Sequence, residues 1–154
     1  MKPKEPALSY ALTLLGRRDY STRELERKLE GQGYQREEIM AALARLREWN
    51  YLDDATYLRR QIDKHLAAKK SRSYIRQRLC LAGLDPQLVE EGLDLYYPPA
   101  QERENVRFWW QKYFGDPECS PQDKRVIIRW ARRMYAAGFP AEEIHPYLDD
   151  HKES

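Results

Sequence analysis

The sequence of 154 residues is poor in the residue types that mark secreted, zinc-binding or membrane-spanning proteins. It has two cysteines, Cys80 and Cys119, and three scattered histidines. Cysteines 39 residues apart fit neither a disulfide framework nor the ligand spacing of a zinc site. No apolar run approaches the roughly 18 residues that cross a bilayer, and the first residues do not resemble a signal peptide. These absences predict a cytoplasmic protein in a reducing environment, without a membrane partner.

Catalytic signatures are equally scarce. No histidine lies in a nucleophile arrangement, and no glycine-rich motif that cradles phosphates occurs. The adjacent acids Asp53 and Asp54 resemble a carboxylate pair. At a predicted helix start, however, such acids are better explained by capping and by the helix dipole. We therefore expect a protein that is not an enzyme and has no cofactor and no metal site.

Glycine is also sparse, with only seven residues, whereas Leu, Ala, Arg, Glu and Gln dominate the composition. These residues favour helix over sheet. Hydrophobic residues make up 42% and charged residues 34% of the chain, which excludes a disordered chain and a membrane-embedded one. The predicted fold class is all-α.

Three of the glycines, Gly33, Gly83 and Gly138, mark an internal repeat with intervals of 50 and 55 residues. Apolar residues at minus eight and minus four share one helical face, and the glycine suits the left-handed conformation that ends a helix. Each copy therefore predicts a helix, a glycine turn and a second helix. The apolar residues at minus eight, minus four, plus one, plus six and plus ten are Leu25, Leu29, Tyr34, Ile39 and Leu43; Ile75, Leu79, Leu84, Val89 and Leu93; and Trp130, Met134, Phe139, Ile144 and Leu148.

A further helix precedes each pair, over about residues 7–17, 54–68 and 100–114. We predict three tandem three-helix modules at residues 6–50, 51–96 and 97–150. Because a 50-residue unit buries little apolar surface alone, we expect the modules to stack into an elongated, curved array. Residues suited to begin helices in these modules are Ser21 with Glu24 in a capping box, Ser71, Asp85 with Pro86, and Pro140.

Charge is distributed unevenly although the net charge is only +2. Between Arg59 and Arg78 there are eight Lys or Arg residues against one acid, Asp63, so the acids that usually interleave are missing. In the third module, three arginines share one face opposite Ile127, Trp130 and Met134. The acidic end of the chain, from Glu142 onward, is the alternative partner for them. The predicted residues that bind an anionic partner are Arg59, Arg60, Lys64, Lys69, Lys70, Arg72, Arg76, Arg78, Arg125, Arg129 and Arg132.

Four tryptophans and eleven tyrosines also fit a surface that stacks nucleic-acid bases. Trp109 and Trp130 occupy apolar helical positions, and core packing explains them better. Trp110, although it belongs to the apolar stripe of Val106, Trp109 and Tyr113, and Tyr74 are less well explained by core packing. Base stacking therefore stays open only for these two.

Over nearly its whole length the sequence resembles the RecX family of bacterial regulators of the RecA recombinase. The Tyr51–Asp54 junction is the most specific match. The resemblance implies three-helix modules that bind in the helical groove of a RecA–DNA filament and reduce ATP hydrolysis and strand exchange. The linker Lys69-Lys70-Ser71-Arg72 departs from the glycine-containing version expected in the family. Other matching motifs are Ser21-x-x-Glu24-Leu25-x-x-Lys28-Leu29, Gly33-Tyr34, Gly83-Leu84 and Ala137-Gly138-Phe139.

The preferred hypothesis is therefore a monomeric, non-enzymatic filament regulator acting in DNA repair, with the RecA filament and single- or double-stranded DNA phosphates as partners. The alternative is a stand-alone DNA-binding protein that uses one helix pair as a helix-turn-helix. Against it, the helix after Gly83 is acidic, with Glu90, Glu91 and Asp94. A third hypothesis is an adaptor that binds an acidic groove of another protein.

Overall fold

The computed structural model describes residues 5–115 and 123–149, and all regular secondary structure over these residues is helical. This confirms the predicted all-α class. Cys119 and the acidic residues beyond Asp149 lie outside the described residues. None of the described helices has the length and apolar character to span a membrane. The helices are α1 (Ala7–Leu15), α2 (Thr22–Gly31), α3 (Arg36–Glu48), α4 (Asp54–Ala67), α5 (Arg72–Leu81), α6 (Pro86–Tyr96), α7 (Gln101–Phe114), α8 (Lys124–Ala136) and α9 (Ala141–Asp149).

The chain divides into two compact units. The first falls within residues 1–61 and 78–89, and the second within residues 62–77 and 90–154. The borders of these units cut through α4, α5 and α6. The borders of the three modules stay a prediction.

In the first unit, α1, α2 and α3 pack against one another around a shared apolar core. The repeat positions at minus eight and minus four, Leu25 and Leu29, are fully buried there. The capping box predicted for α2 is present, because Ser21 Oγ accepts from the Glu24 N–H and Glu24 Oε1 accepts from the Ser21 N–H. The local pattern therefore predicted this core correctly.

In the second unit, α7, α8 and α9 enclose a core dominated by aromatic rings. Trp130 is 2% exposed and its ring meets Trp110 edge-on at a centroid distance of 5.0 Å. Trp110, which the apolar stripe explained less well, is buried, and its ring lies 4.8 Å from that of Tyr147. Trp109, predicted for the core, is only partly buried. Trp110 is therefore a packing residue and is not available to stack on a base.

The three repeat glycines adopt the predicted left-handed conformation, with φ angles of 88°, 84° and 91° for Gly33, Gly83 and Gly138. In each copy the N–H after the glycine donates to the carbonyl five residues earlier, which is the hydrogen bond of a Schellman turn. These three bonds are Tyr34 N to Leu29 O at 3.3 Å, Leu84 N to Leu79 O at 3.3 Å, and Phe139 N to Met134 O at 3.1 Å.

Residues of the Tyr51–Asp54 junction contact the core formed by α1, α2 and α3 and the first turn of α2. Leu52 is buried in the first core, and Asp53 caps α4 by accepting from the Ala55 N–H at 3.0 Å. Asp54 does not cap its own helix. Its Oδ1 accepts from the backbone N–H of Thr22 at 2.8 Å, at the first turn of α2. Capping therefore explains both acids, although Asp54 caps another helix.

The predicted starts of later helices are also observed. Ser71 Oγ accepts from the Tyr74 N–H at 3.1 Å, and Asp85 Oδ1 accepts from the Gln87 N–H at 2.8 Å. Pro86 is the first residue of α6, as predicted. Pro140 was predicted to begin a helix as well, but α9 begins one residue later.

Two buried serines join a middle helix of one repeat to the glycine turn of the next repeat. Ser21 Oγ at the start of α2 donates to Ala82 O at 2.6 Å, one residue before Gly83. Ser71 Oγ at the start of α5 donates to Ala137 O at 2.7 Å, one residue before Gly138. We call each of these contacts a joint. Both joints lie within single compact units.

The glycine in each joint is required by close approach as well as by its backbone angle. A Cβ on Gly83 would collide with the side chain of Arg23. A Cβ on Gly138 would lie 2.8 Å from Ser71 Oγ and 3.2 Å from the Cβ of Ser73. Close approach therefore adds a second reason for glycine at positions 83 and 138, beside the backbone angle that all three repeat glycines share.

Candidate binding surface

The predicted cations on α4 are exposed, as their helical positions indicated. Arg59, Arg60 and Lys64 all face solvent. Arg60 is not free of acids, because its Nη1 lies 3.1 Å from Asp19 Oδ1 in the loop before α2. Both side chains of this pair are largely exposed, so the interaction is weak.

Lys69 and Lys70 form the turn that ends α4. Lys69 has φ of 59°, a conformation in which glycine is the usual residue. The Lys69 N–H donates to Leu66 O and the Lys70 N–H to His65 O, both at 3.0 Å, so the turn closes the helix. Lys69 thus adopts a backbone conformation in which glycine is the usual residue.

The carbonyls of this turn are held by residues of the second unit. Trp109 Nε1 donates to Lys69 O at 2.9 Å, and Tyr97 OH donates to Lys70 O at 3.1 Å. The ammonium of Lys70 lies 4.9 Å from the centre of the Tyr74 ring. These contacts fix the backbone of the turn and place one lysine over an aromatic face.

The two arginines of α5 are engaged by acids of α6. Arg72 Nη2 lies 2.5 Å from Asp94 Oδ1 and 3.4 Å from Glu90 Oε2. Arg76 donates through Nε to Glu90 Oε1 and lies within ion-pair distance of its second oxygen. The hydrogen bond from Arg76 holds the pKa of Glu90 below its ordinary value. The expectation that this basic run lacks neutralising acids is wrong for Arg60, Arg72 and Arg76.

The acids were missed because they are distant in sequence. Asp19 is 41 residues from Arg60, and Glu90 is 18 residues from Arg72. Spacing along one helix indicates only partners three or four residues away. Arg78, the last predicted cation of α5, is exposed.

Helix α8 presents a cationic face, which consists of Arg125, Arg129 and Arg132. All three are exposed, whereas Ile127 and Trp130 on the opposite side are buried. The helix contains five basic residues and no acid. Among residues 5–115 and 123–149, no carboxylate lies within ion-pair distance of these three guanidinium groups.

Glu142 and Glu143 were the alternative partners for the cationic face. Glu143 instead pairs with Arg103 of α7, with Arg103 Nε 3.3 Å from its Oε2. Glu142 is exposed in the first turn of α9. The face therefore presents its charge to solvent over the described part of the chain.

Two features of the structure carried no sequence signal that we recognised. Glu102 has a half-buried carboxyl whose Oε2 has no hydrogen-bond partner among the described residues, and burial raises its pKa. A surface cavity of about 810 Å³ is lined by Leu12, Trp49, Tyr51 and Arg60, among others. Because these residues come from separate elements, only the tertiary structure brings them together.

In the described segments, no cluster of His, Cys, Asp and Glu is arranged to hold a metal ion.

Comparison with known proteins identifies the family. The first three-helix domain of RecX matches residues 7–46. The chain is 31% identical over 144 residues to the regulatory protein RecX of Stenotrophomonas maltophilia (strain R551-3), covering 93% of this chain and 86% of that protein. It is 38% identical over 140 residues to the regulatory protein RecX of Vibrio vulnificus (strain CMCP6), covering 91% and 89%. A crystal structure of a regulatory protein RecX shares the fold, with a TM-score of 0.75 at 20% identity, covering 94% of this chain and 71% of that one. This chain therefore belongs to the RecX family of regulatory proteins.

Proposed function

We propose that this protein binds the filament that the RecA recombinase forms on DNA and inhibits its ATP hydrolysis and strand exchange. Family membership supports a regulatory role. The observation that carries the DNA part of the proposal is the cationic face of α8, because its three guanidinium groups are exposed and lack described carboxylate partners. No catalytic step by this chain is involved.

The cationic face is suited to phosphate groups by its spacing and by its residue type. Arg125, Arg129 and Arg132 follow one another at about one helical turn each, and they span about 10 Å along the helix axis. Arginine binds phosphate oxygens through two N–H donors at once. Each phosphate contact displaces counterions, so affinity for the filament should fall steeply with salt.

The central cations have a smaller part in this proposal than their density along the chain predicted. Arg60, Arg72 and Arg76 already hold carboxylates, and a phosphate would have to compete with these partners. Lys64 is exposed and remains suited to an anionic contact. The other predicted contacts, which we keep as secondary, are Arg59, Lys69, Lys70 and Arg78.

The test is ATP hydrolysis by RecA on single-stranded DNA, titrated with this protein. Inhibition by the wild-type protein is expected. The triple substitution Arg125→Gln, Arg129→Gln, Arg132→Gln should raise the concentration needed for half-inhibition by about tenfold or more, because each lost phosphate contact weakens binding. The matched control is Arg36→Gln, Arg45→Gln, Arg47→Gln on α3. It removes the same charge from exposed positions and should keep nearly wild-type inhibition.

Three outcomes would contradict the proposal in different ways. Unchanged RecA activity at saturating protein rejects filament regulation. Equal loss of inhibition in both triple variants rejects the cationic face in favour of bulk charge. A sequence-specific mobility shift without RecA favours the helix-turn-helix alternative, and salt-insensitive filament binding favours a protein adaptor.

A further inference from the structure

The first unit carries a cavity that the proposed function does not use. Its walls come from the end of α1, the loop that follows it, the turn after α3, and α4, and all of them belong to this unit. The cavity has a volume of about 810 Å³, which is within the range of cavities that hold small ligands. A smaller cavity of about 90 Å³ adjoins it. The residues that line both cavities are Leu15, Asp19, Asn50, Tyr51 and Arg60.

Two aromatic rings form an exposed part of the wall of the larger cavity. Trp49 is 43% exposed and Tyr51 is 62% exposed, and their ring centroids lie 6.3 Å apart at an angle of 73°. The other three tryptophans are buried or partly buried in the second unit. Trp49 is therefore the tryptophan that is most open to a ligand.

The exposure of Tyr51 differs from what its turn predicts. Asn50 has φ of 59° and the Tyr51 N–H donates to Leu46 O at 2.9 Å, so α3 ends in the same kind of turn as the repeat glycines form. The apolar residue that follows the left-handed position usually packs back on its own helix. Tyr51 does not, which leaves its ring available for contact. The residues at this position of the three glycine turns are all buried, and they are Tyr34, Leu84 and Phe139.

The polar groups of the cavity are an acid and a base held side by side. Arg60 Nη1 lies 3.1 Å from Asp19 Oδ1. The second carboxylate oxygen of Asp19 and the other N–H groups of Arg60 have no hydrogen-bond partner among the described residues. The cavity thus offers an acceptor next to several donors, beside two aromatic faces.

We propose that this cavity binds an unpaired base of a single-stranded nucleic acid. A base is flat, so it can stack on the rings of Trp49 and Tyr51. Its edge carries donors and acceptors side by side, which match Asp19 and Arg60. A base within a duplex cannot enter, because its faces are stacked and its pairing edge is bonded. The proposal rests on the DNA part of the proposed function, and it adds base binding on the first unit to the phosphate contacts of α8.

The polar groups favour a base over an apolar side chain of a partner protein. Such a side chain would also contact the rings of Trp49 and Tyr51. It would displace water from Asp19 and Arg60 without replacing the lost hydrogen bonds, which is costly. A base satisfies the rings and the charged pair together.

The test is fluorescence anisotropy of a short labelled oligodeoxythymidine strand, titrated with the full chain in the absence of RecA. A duplex of the same length is the second probe. Tyr51→Ala should weaken single-strand binding by about tenfold, because one stacking ring is lost, and should leave duplex binding unchanged. The matched control is Tyr113→Ala, which removes the same ring from an exposed position of the second unit and should bind both probes like wild type.

Trp49 provides an independent spectroscopic signature. A base stacked on an indole quenches its fluorescence, so the single strand should quench the emission of the wild-type protein more than the duplex does. Trp49→Phe keeps a ring on which a base can stack. It should lose most of the quenching while its affinity for the single strand changes by less than about threefold.

Several results would overturn the proposal. They are an unchanged single-strand affinity of Tyr51→Ala, an equal loss on both probes, an equal loss in Tyr113→Ala, and quenching that persists in Trp49→Phe. Thymidine monophosphate that quenches at the same concentration as the strand would assign the cavity to a free nucleotide instead. Weaker RecA inhibition by Tyr51→Ala with unchanged DNA binding would assign it to a protein partner. Inhibition by way of α8 is tested separately by the triple variant, so the two proposals can fail independently.

Discussion

Helices α5 and α8 occupy the same place in successive repeats, yet their cations serve different ends. On α5, Arg72 and Arg76 bond to Glu90 and Asp94 of α6, and Ser71 fixes the helix start to the turn at Gly138. On α8, the cationic face has no such partners within the described residues, and valine replaces the serine. Basic residues thus stabilise the fold where acids and the following repeat contact their helix. They stay available for binding where no such contacts are made.

This difference teaches that the density of positive charge along the sequence is a poor guide to the binding surface. The central run has eight cations and looked stronger than α8. Its three best-placed arginines are engaged, whereas the arginines of α8 are presented to solvent. Substitutions at equivalent positions of the two helices should therefore give opposite patterns in stability and in binding.

The largest expected effect is on stability, from Ser71→Ala. The side chain is fully buried, caps α5 at Tyr74 and donates to Ala137 O. Losing the cap and the hydrogen bond to the Ala137 carbonyl should lower the free energy of unfolding by about 2 kcal/mol in urea denaturation. The equivalent change on α8, Val126→Ala, should stay within about 0.5 kcal/mol. Equal effects at the two positions would show that the joint does not distinguish the helices.

A smaller loss of stability is expected from Arg72→Ala. Its side chain is only 23% exposed and its guanidinium bonds to two carboxylates. Removing it should lower the free energy of unfolding by about 1.5–2 kcal/mol, whereas Arg129→Ala should stay within about 0.5 kcal/mol.

In filament binding the order of these two variants should reverse. Arg129→Ala should weaken binding and reduce the slope of log affinity against log salt by about 1. Arg72→Ala should leave that slope nearly unchanged at temperatures where the variant is folded. A reduced slope for Arg72→Ala alone would return the binding surface to the central run.

The features predicted well from the sequence all depend on residues close together in the chain. The glycine turns, the capping box at Ser21 and the cap at Asp85 each involve residues within five positions of one another, so local spacing was enough. The predicted first helix of each module began and ended within two residues of the observed α1, α4 and α7. Local backbone chemistry therefore accounts for most of the secondary structure.

The features missed depend on tertiary contacts. The partners of Arg60 and Arg72 come from other helices or loops, and the burial of Trp110 follows from how α7 meets α8 and α9. Lys69 is a different case, because its positive φ violates the usual preference of a lysine. The bonds from Trp109 and Tyr97 to the carbonyls of this turn hold its backbone in place, and they join residues at least 27 positions apart.

The smallest expected effect is that of acid, which should protonate Glu90. The arginines of α5 would then lose a carboxylate partner and resemble the arginines of α8. Because Arg76 holds the pKa of Glu90 below its ordinary value, the folded state binds fewer protons there than the unfolded state. The stabilisation that this ion pair gives to the fold is complete at a pH above the ordinary pKa of a glutamate. It is lost as the pH falls through the lowered pKa that Glu90 has in the folded state. Wild type should therefore be more stable than Glu90→Gln at about pH 6, and the two should converge in thermal unfolding as the pH falls below the lowered pKa of Glu90.

The effect is modest because nearly half of the Glu90 side chain is exposed, so solvent screens the pair. Arg76→Gln is the matched test, since it removes the cause of the lowered pKa while leaving the carboxyl in place. In that background the further change Glu90→Gln should alter the pH dependence much less. A difference between wild type and Glu90→Gln that persists unchanged as the pH is lowered into the acid range would mean that Glu90 stabilises α6 by its shape rather than by its charge, and that acid does not release the arginines of α5.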